Sequence, residues 1–266
     1  MNAIGSHISM ASDDEGRQGM TSLETSPFAL TGRRILISGA AGGIGSATAR
    51  LCARQGARLV LVDQVGADTI RERVGAEIAA VAEIVSLDTG SRADVTKLAA
   101  EIEPVYGLID TAAIAPHDDW MAEDWEESLD RVIRANIKGP INLTRAFLGG
   151  MIATGEGRIV LCGSVAGWMG GIRTGPHYAF SKGGIHAFVR WLSRRGAPHN
   201  VLVNGIAPGP VETAMTADKG YDPEFYPLKR MAKPEEIAAT AVFLCGAGSG
   251  YASGAIFDIN GATHFH

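Results

Sequence analysis

From residue 33 onward two patterns alternate along the chain. Short runs of consecutive aliphatic and β-branched residues are separated by stretches in which apolar residues recur every three or four positions. The runs "RILISGA", "RLVLVDQ", "AEIVSLD", "GLIDTAAIA", "GRIVLCGS", "NVLVNGIAPG" and "AIFDING" predict strands. They are continuously apolar rather than alternating, which is the mark of strands covered on both faces, as in a parallel sheet. Between them, "GSATARLCARQG" has helical spacing and a glycine stop, and a charged helix runs on to about 80. Further helical patterns follow: one before "GLIDTAAIA", a long one over 124–153, then 178–196 and 234–246. Strands alternating with helices predict βαβ units, hence a three-layer α/β fold with a doubly wound parallel sheet. No composition break or short-period repeat divides this pattern, so a single domain is expected over 27–266. Residues 1–26 are polar and aperiodic, and read as a flexible leader. They lack a cationic start followed by an apolar stretch, so they do not read as a secretory signal.

Composition narrows the partners. The 266 residues are 46% hydrophobic, but no run approaches the roughly 18 apolar residues that span a bilayer. No membrane partner is therefore expected. A net charge of -5 lacks the basic footprint of a nucleic-acid binder. Cys52, Cys162 and Cys245 are few, odd in number and far apart. Neither a disulfide framework nor a metal knuckle is indicated, and a reducing cytoplasm is the expected setting. The 34 glycines suggest tight turns and close approaches of backbone to a ligand.

The first predicted strand runs straight into "SGAAGGIG" and then into a helix. Gly39, Gly43 and Gly45 let the chain turn sharply and bring a pyrophosphate, with Ile44 alongside, onto unpaired N–H groups at a helix start. A glycine turn alone also serves plain helix stops. Context strengthens it: the second strand ends in Asp63, about 20 residues on, where a carboxylate meets the adenosine ribose hydroxyls. That carboxylate would repel a 2′-phosphate, Gln64 behind it is neutral, and no Arg or Lys lies between Gly39 and Gly43. NAD is therefore expected over NADP. Asp88, ending the third strand, is placed at the adenine edge, or else caps a helix.

A further pair, Tyr178 and Lys182, sits four apart in "HYAFSK", on one helix face. With the glycine loop, Tyr-x-x-x-Lys, Ser164 in "VLCGSVAG", Asn136 in "NIKG" and the Pro-Gly of "APGPVET", the chain resembles the short-chain dehydrogenase/reductase family over nearly its whole length. The resemblance implies a Rossmann-like fold and hydride transfer between NAD and a secondary alcohol or ketone. It makes Tyr178 the general acid/base, Ser164 a hydrogen-bond partner of the substrate oxygen, and Asn136 the anchor of a water relay from Lys182. It adds Ala112, Pro208, Gly209, Val211 and Thr213 to the cofactor contacts. An unperturbed phenol near 10 suits neutral pH poorly, so a nearby cation is needed, and Lys182 with the positive nicotinamide supplies it. Lys182 can also hold the nicotinamide ribose. The chain departs from the family where Asn-Asn-Ala-Gly is usual: Asp110 to Ala113 read "DTAA". Asp110 and Thr111 can supply similar acceptors, while Ala113 adds a methyl beside the cofactor.

The alternative is a dinucleotide-binding sensor that does not turn over, which would have no need of Tyr178, Lys182, Ser164 and Asn136 together. Residues 212–231 form a long loop expected to be a substrate lid. Met215, Tyr221, Phe225 and Tyr226 there, with His117, Trp168 and Met169, are expected to line an apolar pocket. Apolar residues on more than one side of 124–153 (Val132, Ile133, Ile137, Phe147, Leu148) and 178–196 (Ile185, Phe188, Val189, Trp191, Leu192) exceed the single stripe a sheet-covering helix needs. A homotetramer, or a homodimer, is expected to use them.

Overall fold

The computed structural model describes residues 26–217 and 219–266; the expected leader, apart from Ser26, lies outside them. Seven strands form one sheet: β1 (Arg34–Ser38), β2 (Arg58–Asp63), β3 (Glu83–Ser86), β4 (Gly107–Asp110), β5 (Gly157–Cys162), β6 (Val201–Pro208) and β7 (Ile256–Ile259). All pairings are parallel and the order is β3-β2-β1-β4-β5-β6-β7. The winding reverses between β1 and β4, the switch point at which open parallel sheets bind ligands.

The period of two is visible in the core. On β1, Ile35 and Ile37 join the packing with α1 (Gly43–Arg54) and α9 (Pro234–Cys245), through Ala49, Cys52, Ile237 and Ala241. Leu36 faces the opposite layer, made by α4 (Arg92–Glu101), α6 (Gly139–Thr154) and α8 (Pro176–Gly196), through Val95, Leu98, Leu143 and Val189. Helices on both faces bury the central strands fully, which is why those strands read as unbroken apolar runs, while the edge strands β3 and β7 keep exposed positions.

Two predicted helices are divided. The charged helix toward 80 is α2 (Ala67–Val74) and α3 (Ala76–Ala79), separated by Gly75 at φ +97°, a conformation that glycine alone enters freely. The pattern over 124–153 resolves into α5 (Trp125–Val132), a π-helical turn over Ile133–Lys138, and α6. Pro140, in the first turn of α6, has no N–H for the carbonyl four residues back, that of Asn136. The hydrogen-bond ladder slips there, and π turns of this kind often mark functional positions.

The strands are also shorter than their apolar runs. β4 stops at Asp110, and the following residues cross the carboxyl edge of the sheet as irregular chain. The long loop after β6 is pinned at its base, where Glu212 donates to the Ala232 carbonyl and Ala232 to that of Pro210, both at 2.9 Å. Between these ties the loop carries a 3-10 turn over Pro223–Phe225, and a short α7 (Ala166–Met169) follows β5.

Candidate active site

Two adjoining hollows open along the carboxyl ends of the strands. The first, about 350 Å³, is walled by the glycine turn, Asp63, Leu87, Asp88 and the chain after β4. Its shape is set by backbone. Gly39 has φ +71°, and a Cβ there would stand 2.6 Å from the Ala112 nitrogen. A Cβ on Gly45 would stand 2.0 Å from the Gly39 carbonyl oxygen, and one on Gly43 2.6 Å from the Thr213 side chain. The cap of α1 is Gly42, which has no side chain to satisfy the first N–H groups. They face the hollow with the positive end of the helix dipole. An anionic phosphate fits this cradle, and a dinucleotide fits the crevice beyond it.

Asp63 accepts from Ala41 N–H at 3.0 Å and from Val65 N–H at 3.4 Å, which aims the carboxylate into the crevice with lone pairs to spare. Asp88 also lines the crevice, but one oxygen takes the Gly90 N–H at 2.7 Å and the other the Arg134 guanidinium. Its role is therefore as much to brace the wall as to read adenine. Arg73, from α2, lines the same crevice. Its place on a helix beyond the glycine turn gave no signal at sequence level.

The second hollow, about 170 Å³, shares Ile44, Thr111, Ala113, Thr213 and Met215 with the first. Ser164, Tyr178 and Lys182 line it, with Pro208, Gly209 and Val211. Ser164 follows β5; its hydroxyl accepts from Ala166 N–H at 3.1 Å. Tyr178, in the first turn of α8, is buried. Burial, with Cys162 beside it, pushes its phenol upward, and the Ser164 hydroxyl works against that rise. Lys182 sits a turn later and donates to the Cys162 carbonyl at 2.7 Å, its nitrogen 5.7 Å from the Tyr178 ring centre. Thus the ammonium is positioned by backbone, with two further N–H groups left to offer.

Asn136 stands in the π turn, almost wholly buried. Its amide donates to the Ile114 carbonyl at 2.9 Å and to Ser181 Oγ at 3.1 Å, and its carbonyl accepts the Ile114 N–H at 2.9 Å. These bonds fix the chain after β4 against α8, and no direct hydrogen bond joins Asn136 to Lys182. The "DTAA" departure is also resolved. Asp110 accepts from the Ser38 hydroxyl and from Ala112 N–H at 3.3 Å, while Thr111 acts as a donor, to the Ser38 carbonyl at 2.7 Å. Together they tie β4 to β1 in place of an amide. Burial holds the Asp110 carboxyl above its ordinary range.

Met169, Met215, Tyr221, Phe225 and Tyr226 line the second hollow. His117 and Trp168 do not. His117 is exposed beyond the chain after β4. Trp168 turns away: its ring lies against His186 and His266, and its N–H reaches Asp258 at 3.1 Å. Its place on α7 points it toward α8 and β7, which residue spacing could not reveal. His186, unremarked in the sequence, is wedged beneath the Ser164 turn and accepts the Ser164 N–H at 3.4 Å. A Cβ on Gly163 would lie 2.3 Å from its ring, so that glycine admits the imidazole. Burial and the charges of Arg190 and Lys182 lower its pKa to about 4, so it is a neutral acceptor at physiological pH.

Comparison with known proteins agrees with this geometry. The family model described as enoyl-(acyl carrier protein) reductase matches residues 39–264. Galactitol 2-dehydrogenase (L-tagatose-forming) of Cereibacter sphaeroides is 36% identical over 247 residues, 88% of this chain and 96% of that protein. The 3-oxoacyl-[acyl-carrier-protein] reductase of Aquifex aeolicus is 31% identical, over 87% of this chain and 97% of the relative. The chain belongs to the short-chain dehydrogenase/reductase family. Solved members superpose closely on this short-chain dehydrogenase/reductase. A Beutenbergia cavernae protein described as an NAD(P)-dependent gluconate 5-dehydrogenase, with NADP at low occupancy, gives a TM-score of 0.81 at 32% identity, covering 89% of this chain and 98% of that one. A Brucella melitensis 3-oxoacyl-[acyl-carrier protein] reductase with bound NAD gives 0.80 at 26% identity, covering 91% and 97%. The protein is thus an oxidoreductase that uses a nicotinamide dinucleotide. Among the described residues no helix is long and apolar enough to cross a membrane.

Proposed function

We propose that this short-chain dehydrogenase/reductase interconverts a secondary alcohol and a ketone, with Tyr178 giving and taking the proton at the substrate oxygen. The observation that carries the reading is the shared wall of the two hollows, which sets Tyr178, Ser164 and Lys182 at the mouth of a glycine-built crevice. When bound, the nicotinamide supplies or accepts the hydride. The residues that would hold the dinucleotide are Gly39, Gly43, Ile44 and Gly45 at the phosphates, Asp63 and Asp88 at the adenosine end, and Ala112, Pro208, Gly209, Val211 and Thr213 toward the nicotinamide. Lys182 would hold the ribose beside it.

The buried phenol of Tyr178, with its pKa raised, keeps its proton at neutral pH, as a general acid for carbonyl reduction must. Ser164 offers the hydroxyl that steadies charge on the substrate oxygen. Lys182 and Asn136 would return the proton from solvent through bridging water. The lid, with Met215, Tyr221, Phe225 and Tyr226 facing the cavity, excludes bulk water from the reacting atoms.

NAD is the dinucleotide favoured by this reading, because Asp63 presents a carboxylate where a 2′-phosphate would lie. Arg73 in the crevice lining opposes that preference, and relatives of the same fold hold NAD in one case and NADP in another. We infer also that the working form is a tetramer, or a dimer. Of the residues expected to pair, Val132, Phe147, Ile185, Val189 and Leu192 are buried in the core of the monomer, whereas Trp191 (50% exposed), with Phe180 (70%) on α8 and Ile141 (42%) on α6, leaves apolar surface on these helices. The buried free thiols Cys52 and Cys245 suit a reducing cytoplasm. The test is turnover of a panel of secondary alcohols and ketones, followed at the reduced-nicotinamide absorbance. Dinucleotide binding without turnover of any member would turn the reading toward a sensor.

A further inference from the structure

The cavity beside Tyr178 is electrostatically one-sided. No aspartate or glutamate among its described lining residues offsets the charge, yet Arg173 and Lys219 line it in addition to Lys182. Neither Arg173 nor Lys219 lines the dinucleotide crevice. They come from different segments that meet at the cavity, Arg173 from the loop between α7 and α8, Lys219 from the lid. Much of the rest of the cavity lining is apolar or aromatic, including Met169, Ile172, Met215 and Phe225.

Lys219 is half-buried, and its ammonium donates to the Ala115 carbonyl at 2.7 Å. Burial lowers its pKa from the ordinary value, so the site it occupies is partly dry. A lysine has three N–H donors, and one is spent on that carbonyl. Arg173 takes part in no salt bridge among the described residues. Its guanidinium lies across the lid: a Cβ on Gly220 would sit 3.3 Å from Nη1. Its charge acts on the Tyr221 and Tyr226 hydroxyls, and the Tyr221 hydroxyl is also coupled to that of Tyr178.

A cation in a partly dry site, such as Lys219, is costly unless a counter-charge joins it, while Arg173, exposed at the rim, is open to a ligand. A guanidinium fork matches a carboxylate or phosphate edge, and an ammonium complements either as a point charge. We propose that Arg173 and Lys219 form an anion-recognition end of the cavity, so that the substrate of this enzyme carries a carboxylate or phosphate away from its reacting carbonyl. The proposal rests on the reading of this cavity as the substrate site. Tyr178 and Ser164 handle the oxygen at one end, and the two cations select the charged end.

The test is equilibrium binding to the full chain loaded with NADH and carrying Tyr178→Phe, which stops reduction of the ketone during the titration, read by the fluorescence of the bound dinucleotide. Two matched pairs are compared: 4-oxopentanoate with its methyl ester, and dihydroxyacetone phosphate with dihydroxyacetone. In at least one pair the anion should bind about tenfold or more tightly than its neutral partner, the scale of a charge-assisted hydrogen bond in a partly dry site. The pair with the larger gap identifies carboxylate or phosphate. Arg173→Gln should close most of the gap, Arg173→Lys should keep part of it, and NADH affinity should stay unchanged in both. The proposal is overturned if neither pair shows a preference for the anion. It is equally overturned if Arg173→Gln and Lys219→Gln leave the gap intact, or if NADH binding falls in the same proportion. Discrimination without turnover of any ketone by the unaltered enzyme would uphold the anion site while sinking the catalytic reading.

Discussion

The two hollows are built by different means. The dinucleotide crevice is made of backbone, where the Gly45 position clears the Gly39 carbonyl only because it lacks a Cβ, and the end of α1 supplies bare N–H groups. The substrate cavity is made of side chains from β5, α7, α8 and the lid, held by contacts such as Lys182 to the Cys162 carbonyl and His186 to the Ser164 N–H. A backbone site tolerates almost no added atom but asks little of side-chain chemistry. A side-chain site tolerates changes of shape at its rim, yet fails when one reacting group is lost. The contrast yields predictions that damage each half separately.

The largest effect belongs to the side-chain half. Tyr178→Phe keeps the ring and removes the proton, so turnover should fall at least about a hundredfold, the scale of a lost general acid/base. Dinucleotide affinity, measured by titration, should hold. The pH response has a definite sign. Because burial raises the phenol, ketone reduction should stay level through neutral pH and decline only in alkali, whereas alcohol oxidation should climb as pH rises. Reduction that fades between pH 6 and 8 would assign the proton elsewhere.

Next comes the backbone half. Gly45→Ala places a methyl 2.0 Å from the Gly39 oxygen, and overpacking of that kind costs on the order of 1–3 kcal/mol. A lower Tm and a weakening of dinucleotide binding of about tenfold or more are expected, whichever substrate is offered. An alanine variant that binds the cofactor normally would mean the turn relaxes without loss, and that the cradle is less strict than its geometry indicates.

Legibility in the sequence follows the same division. The doubly wound sheet was readable because strands covered on both faces must be apolar throughout, and the crevice because glycine spacing and Asp63 lie within one βαβ unit. Tyr178 and Lys182 were readable because four residues on a helix bring side chains together. What was hidden depends on contacts between distant segments. Trp168 looked like a pocket residue from its place after Ser164, but α7 aims it at His186 and Asp258. The π turn at Asn136 lies inside the single helical pattern read over 124–153, because one slipped hydrogen bond scarcely disturbs the spacing of apolar residues. Arg73 and Arg173 carried no local pattern at all; only the fold brings each to a cavity wall.

A smaller effect tests the charge balance at the adenosine end. Asp63→Ala removes the carboxylate held by the Ala41 N–H at 3.0 Å and leaves Arg73 in the crevice lining. The ratio of kcat/KM for NAD to that for NADP should narrow by roughly tenfold, the scale of one hydrogen bond to a charged group. Equal or better use of NADP by the unaltered enzyme would refute the preference outright. Loss of both cofactors together in the variant would show Asp63 acting through the Ala41 turn rather than on the ribose.

The smallest effect is expected at the lid. Phe225 is 65% exposed, yet its ring lines the cavity and meets Tyr226 edge-on, with centres 5.6 Å apart. Such a pair contributes about 0.5–1.5 kcal/mol beyond area burial, and here part of the ring remains in water. Phe225→Ala should therefore raise KM by a few fold while kcat stays within about twofold, since nothing in the proton path runs through the ring. If kcat collapses instead, lid closure must align Tyr178 with the substrate, and the separation between a strict reacting group and a forgiving rim would fail at that residue.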